Sequence, residues 1–397
     1  MLNPGKNTKS ARTKTIWLLT LGLAGVAVRV WLWWFSIGSN DVLLWRFHGL
    51  HVFTEGLAST YRNYRDFNHP PLMGLYASRA WVWSGGDVWT FARLIKLPGL
   101  AGEGLTLWAL WRFAGRRAFV VYAWLPAAIL VSGFHGNTDC LYAAIILVAA
   151  IAFDKGKYFL SGVLWSAALN VKLLPVALLP LVFLGAPSAR ALMQLAAGLA
   201  IGVAPFLPPA LSAGEAMRHN MLAYNSRPDN WGLVALLNGG MAIPSLRRAV
   251  EPARDMWLAI GRYAILLTVV AVALLSRFRR RMPMTEQAAL GAALFLVLAP
   301  GFGVQYVMFA APLLCVVDLK HAMWWGCASG IFLAAFYSRF LVSWMPPQSF
   351  LFGYYPFPAS GFAVVAWAVL VHFIWSRLRV LRADPQPGSF KNAAGLS

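Results

Sequence analysis

Apolar runs close to the length of a membrane crossing recur from Ile16 to Trp375, and no other feature of the chain restricts its fold as much. About 20 consecutive apolar residues carry a helix through ~30 Å of hydrocarbon. Charged residues make up only 12% of the 397-residue chain, where a soluble domain carries about a quarter. The mean hydropathy is +0.61. Continuous runs, rather than short alternating segments, argue against a β-barrel. The sequence therefore predicts an all-α polytopic membrane protein, one domain over residues 1–397, with no separate soluble domain and no internal repeat. The first run, Ile16 to Phe35, is longer than a signal-peptide core and lacks a small-residue cleavage site after it, so it reads as a retained span.

About 12 transmembrane helices are expected, near 16–37, 91–111, 118–133, 138–153, 158–171, 173–185, 190–210, 256–276, 286–300, 304–317, 321–342 and 359–376. Basic residues mark alternate connections: Lys6, Lys9, Arg12 and Lys14 at the start, then Arg112, Arg116 and Arg117, Lys155 and Lys157, Arg190, Arg277 and Arg279 to Arg281, Lys320, and Arg377, Arg379 and Arg382. The positive-inside rule puts these on the cytoplasmic side, with both termini. Parity then requires residues 70–84 and 91–111 together to cross once. Arg79 in the middle of 70–84 marks that piece as interfacial. The formal charge of +20 is accounted for by such loops facing anionic lipid, and nucleic acid is not an expected partner. Cys140, Cys315 and Cys327 all fall in apolar segments, with neither a disulfide framework nor metal spacing.

The other connections use different residues. They read "GSNDVLLWRFHG" (38–49), "YRNYRDFNHPPL" (61–72), "FHGNTDCLY" (134–142), "YNSRPDNWGL" (224–233) and "GFGVQYVMF" (301–309). Polar groups at membrane depth are costly, so their gathering on one face predicts a shared site. Two large outer loops are expected, 38–90, with interfacial helices, and 211–255. Asp41, next to Asn40, stands just past the first span. Partial desolvation is expected to raise its pKa and suit it to general-base work. Asp139 serves either as a helix cap or as a substrate contact. Pro70 and Pro71 fix the direction in which His69 is presented. Arg62, Arg65, Lys172 and Arg227 are cations suited to a phosphate. Walker, Rossmann, zinc and GxSxG patterns do not occur.

The run "NDVLLWRFHGLHVFTEGLASTYRNYRDFNHPPL" resembles the first outer loop of the GT-C superfamily of membrane glycosyltransferases. It is most similar to the polyprenyl-phosphate-mannose-dependent mannosyltransferases. Asp41, Trp45, Gly56, Tyr61, Phe67, Pro70, Pro71 and Leu72 fill the places of that loop's pattern. "GNTDCLYAAIILVA", "NVKLLPVALLPLVF" and "GFGVQYVMFAAPLL" look like later segments, so the resemblance covers residues 16 to 318. It implies a GT-C-like bundle in a bacterial inner membrane, active on the periplasmic or extracellular side in glycolipid or cell-envelope synthesis. The implied reaction is an inverting transfer of a sugar, mannose, from a polyprenyl phosphate to a lipid or glycan acceptor. Asp41 matches the family's base. Lys172, Arg227 or the Arg62/Arg65 pair would stabilise the leaving phosphate, and Trp231 and Tyr306 would stack on sugar. No metal or other cofactor is needed in principle, because a lipid monophosphate leaves with less charge than a nucleoside diphosphate. Two residues depart from the pattern and are expected to line the pocket: His69 stands in place of a Tyr, and Gln305, before Tyr306, in place of a His. A transporter or flippase would be expected to show paired repeats, and none is found. A lipid-linked polysaccharide ligase or polymerase would carry arginines in a large late loop, as 211–255 does.

Overall fold

The computed structural model describes residues 4–223, 231–341 and 359–382, and among these the chain is helical with no strand. The long first helix, α1 (Pro4–Phe35), is followed by α2 (Asn40–Glu55), α3 (Leu57–Asn63) and α4 (Pro71–Ser84). Then come α5 (Val88–Ala109), α6 (Arg116–Ala123) and α7 (Pro126–Ile129), the last running into a π-helical turn, Leu130–His135. α8 (Asp139–Asp154) and α9 (Tyr158–Val171) form an antiparallel pair. α10 (Leu179–Leu184), α11 (Ala189–Ile201) and α12 (Leu207–Leu222) precede α13 (Gly232–Met241) and α14 (Pro244–Phe278). α15 (Met284–Leu298), α16 (Ala311–Val317), α17 (Leu319–Leu341) and α18 (Ala359–Arg382) are the last of the described helices.

Among the described residues four helical stretches are long and apolar enough to cross a membrane: Thr15–Phe35, Ala189–Leu222, Pro244–Phe278 and Gly361–Val380. The pair Arg116–Ala123 and Pro126–His135, bent by 58°, would make a fifth. This is fewer than the 12 expected from apolar runs, several of which are shorter than a full crossing, and proline divides two of those further. Run 173–185 breaks into a 3-10 turn, Leu174–Leu178, and α10, with Pro175 and Pro180 at the two starts. Run 304–317 breaks into a 3-10 turn, Val304–Phe309, and α16, with Pro312 in the first turn. Each proline removes a backbone donor and interrupts the ladder. α15, at 15 residues, is about 22 Å long and falls short of the hydrocarbon thickness. Residues 211–255, expected as an outer loop, are not an irregular segment. Much of it is helix, in the last turns of α12, in α13 and in the first turns of α14. Residues 38–90 form α2, α3, α4 and the start of α5, with α4 packing on α2 and α5.

α8 lies at the centre of the bundle, buried from Asp139 to Phe153 on most of its surface and packed against α5, α9 and α15. Helix direction sorts the polar residues to two ends. The start of α8 and the end of α9 bring Asp139 and Lys172 together. At the other end of α8, Asp154 accepts from Thr285 N and Oγ1 at 3.0 and 2.9 Å, and from Met284 N, at the start of α15. Arg277 donates to Leu184 O there, and Arg377 pairs with Asp318 and Glu286. The basic connections thus lie away from the polar motifs.

A charge inside the first span fixes α1. Arg29 is fully buried and its Nε lies 2.8 Å from Glu103 Oε2 of α5. Its other nitrogens donate to the carbonyls of Gly25, Tyr122 and Ala123, and Tyr122 Oη donates to Glu103 Oε1 at 2.8 Å. A buried pair of this kind resists removal of one partner more than removal of both. Glu103→Gln should therefore cost about 3–5 kcal/mol and lower the unfolding temperature in detergent, and Arg29→Met in the same chain should recover part of the loss. Equal stability of Glu103→Gln and wild type would show that the pair does not hold α1 in place.

Candidate functional site

Between α1 and α2 the chain turns at Gly38 (φ +110°), and the facing turn after Leu130–His135 passes through Gly136 (φ +86°). These positive φ values suit glycine, and a Cβ on Gly136 would collide with the Val42 side chain. Ser39 ties the two turns together: its N and Oγ donate to His135 O at 3.2 and 2.7 Å. Ser39 also caps α2, accepting from Asp41 N.

Asp41 is held in the first turn of α2 by its Oδ2, which accepts from Asn137 Nδ2 at 2.5 Å and lies 3.1 Å from His135 Nε2. Oδ1 has no hydrogen-bond partner among the described residues. The expected rise in pKa does not occur. Burial pushes the carboxyl up, but His135, the Asn137 amide and Lys172 outweigh it, and the value falls to about 2. Asp41 is an ionised acceptor at neutral pH, with one oxygen fixed and the other open.

The "FNHPPL" corner explains how His69 is aimed. Pro70 caps α4 and Pro71 is its first residue, a position that needs no donor. Phe67 is buried, Tyr61 Oη donates to His69 O at 2.6 Å, and the imidazole stacks on Trp45 with centroids 3.9 Å apart. Burial and the nearby His48 and Lys172 hold His69 well below its ordinary pKa, with Asp41 opposing. His69 is thus a neutral hydrogen-bonding group, not a cation.

His69 lines a cavity of about 400 Å³ together with Lys172, Tyr306 and Arg262. Lys172, at the end of α9, places Nζ 2.9 and 2.8 Å from Asp139 Oδ1 and Oδ2, and 4.6 Å from the Tyr306 ring centroid. An ammonium has three N–H groups, so one remains for a ligand. Asp139 is therefore the partner of Lys172, while Thr138 occupies the cap position of α8. The rest of the lining is apolar, including Leu174, Val176, Leu222, Leu258 and Phe295. Val176 and Leu222 are 45% and 62% exposed on the outer surface.

Asp41, His69, Asp139, Lys172 and Tyr306 are thus brought to one end of the bundle. Asn40 is half-buried in the first turn of α2, and Gln305 shares the turn of Tyr306 without lining the cavity. Arg62 and Arg65 do not join Lys172; they line a separate groove with Ser212, Glu215 and His219. Trp231 is buried, its ring stacked on Phe302 at 3.9 Å and its N–H donated to Leu296 O, so it serves packing. Arg227 lies outside the described residues. Three residues were not singled out from sequence: His135, Asn137 and Arg262. For Arg262 a signal existed, a charge inside the apolar run 256–276.

No protein-family model matches the chain, and no curated protein matches it in sequence.

The low Asp41 pKa has a testable sign. A carboxyl depressed from 3.8 to about 2 stays ionised at neutral pH, and the stability it contributes is lost only as pH falls toward 2. Infrared difference titration of wild type minus Asp41→Asn should show no carboxyl protonation from about pH 8 down to about pH 4. A protonation band near pH 5–6 would show that His135 and Asn137 do not outweigh burial.

Proposed function

We propose that the protein is an inverting glycosyltransferase that moves a sugar, mannose by resemblance, from a polyprenyl phosphate to a lipid or glycan acceptor. The observation that carries this reading is the amphipathic cavity. Its polar lining includes Lys172, Arg262, His69 and Tyr306, and Lys172 is close enough to pull down the pKa of Asp41. Its walls are aliphatic and continue onto exposed Val176 and Leu222. A lipid phosphate needs both halves: cations for the head and a dry path for the chain.

In this reaction the acceptor oxygen forms a bond to the anomeric carbon from the face opposite the phosphate. The carbon–oxygen bond to the phosphate breaks, and its electron pair leaves on the polyprenyl phosphate. Lys172 and Arg262 receive the charge that develops there, which is electrostatic stabilisation of the leaving group. Asp139 holds the ammonium in place. The acceptor proton passes to Asp41 Oδ1. A carboxylate of low pKa is a weak base, and it suffices if the attacking hydroxyl becomes strongly acidic as its bond to carbon forms. His69 and Tyr306 border the sugar. The GT-C-like arrangement of about 12 crossings, with this end on the periplasmic or extracellular side of a bacterial inner membrane, belongs to the same proposal. It draws support from the basic residues collected at the opposite end.

Purified protein in liposomes, given decaprenyl-phosphate-mannose and an envelope lipid extract, should yield mannosylated product by mass spectrometry. Asp41→Asn should lower turnover by about 10²-fold or more while decaprenyl phosphate still binds. Arg262→Gln should instead weaken that binding by about tenfold. Equal turnover of Asp41→Asn and wild type would remove the proposed base. Donor carried across the bilayer without sugar transfer would favour a flippase.

A further inference from the structure

We propose that the groove between α3 and α12 is a second phosphate site, which takes the anionic head of an acceptor lipid. This rests on the donor reading of the cavity at Lys172. The groove, of about 560 Å³, presents Arg62, Arg65 and His219, with Glu215 as the opposing acid. The Arg62 guanidinium is steadied by the carbonyl of Ser212. Arg65 makes no hydrogen bond or ion pair among the described residues. Two arginines face one glutamate, so positive charge is left over for a ligand. Arginine forks match phosphate oxygens in pairs.

The groove and the cavity share a wall. Asn220 is buried and its Nδ2 donates to Tyr61 O at 2.8 Å and Tyr64 O at 3.1 Å, which locks α12 to α3. Asn220 and Tyr61 line the groove. The next residues of α12, Met221 and Leu222, line the cavity, as does His69, whose carbonyl accepts from Tyr61 Oη. Two anionic heads could therefore be held on either side of one fixed partition, with the acceptor's hydroxyl-bearing part reaching past it to the donor sugar. A lipid is favoured over a soluble anion by the flanking surface. Leu207 and Leu211 of α12 are 52% and 88% exposed and offer an apolar rim to an acyl chain.

The test uses the full chain in phosphatidylcholine nanodiscs, with phosphatidylglycerol, decaprenyl phosphate and inorganic phosphate as separate probes. Arg62→Gln/Arg65→Gln should weaken phosphatidylglycerol binding by about tenfold and leave decaprenyl phosphate binding unchanged, while Arg262→Gln does the reverse. Intact decaprenyl phosphate binding also shows that the double variant is folded. Phosphatidylglycerol binding that ignores the double variant overturns the proposal. So does loss of both lipids in the same variant, which would mean one site. Inorganic phosphate binding as tightly as the lipid would overturn the lipid assignment, leaving a free-anion site. Wild type that fails to bind decaprenyl phosphate would overturn the donor reading and the acceptor role with it.

Discussion

A charge inside an apolar bundle must be paired, and the way this chain pairs its charges decides where its helices go. Arg29 could not lie in the first span unless Glu103 and the carbonyls near α6 received it. Further along the same helices, Lys96 of α5 donates to Ser36 O at 2.6 Å, so the end of α1 is fastened as well. These two anchors set the Gly38 turn against Gly136, and the turn in turn sets Asp41 beside His135 and Asn137. A second ion pair, Lys172 with Asp139, joins α8 and α9 at the same end. Unpaired, each of these charges would cost several kcal/mol, far more than a short helix gains from propensity.

The same constraint separates two kinds of basic residue. Those near Asp154, Asp318 and Glu286 are held by carboxylates and carbonyls at helix ends and stabilise the bundle. Arg262 differs. Its one side-chain hydrogen bond among the described residues is to Tyr263 Oη at 3.3 Å, and it faces the cavity. A guanidinium with donors to spare, lining the same cavity as an ammonium with one N–H to spare, is suited to receive an anion.

Several parts of this arrangement were legible in the sequence, each for a local reason. Asp41 stands out because an acid follows directly on an apolar run. Lys172 stands out because it is isolated between two such runs, and His69 because two prolines fix it. Pairings across the fold were not legible. Nothing near Asp139 announces Lys172, 33 residues on, and the pKa of Asp41 depends on His135 and Asn137, 96 residues or so away. Arg62 and Arg65 looked equivalent to Lys172 as cations, yet α3 and the turn after it carry them to another groove. Trp231 reads as a sugar platform until Phe302 is seen to cover its face. Fewer helices than apolar runs are long enough to cross a membrane, in part because Pro175, Pro180 and Pro312 divide short apolar runs, and hydropathy does not register a broken ladder.

The central claim is that the cavity at Lys172 and Arg262 holds a lipid phosphate within reach of Asp41. A cryo-electron-microscopy structure of the full chain in nanodiscs with decaprenyl phosphate tests it directly. The account predicts phosphate density in contact with Lys172 Nζ and the Arg262 guanidinium, with the chain running along Leu174, Val176 and Leu258 toward the exposed face. Phosphate density at Arg62 and Arg65 instead, with the Lys172 cavity filled only by water, would contradict it.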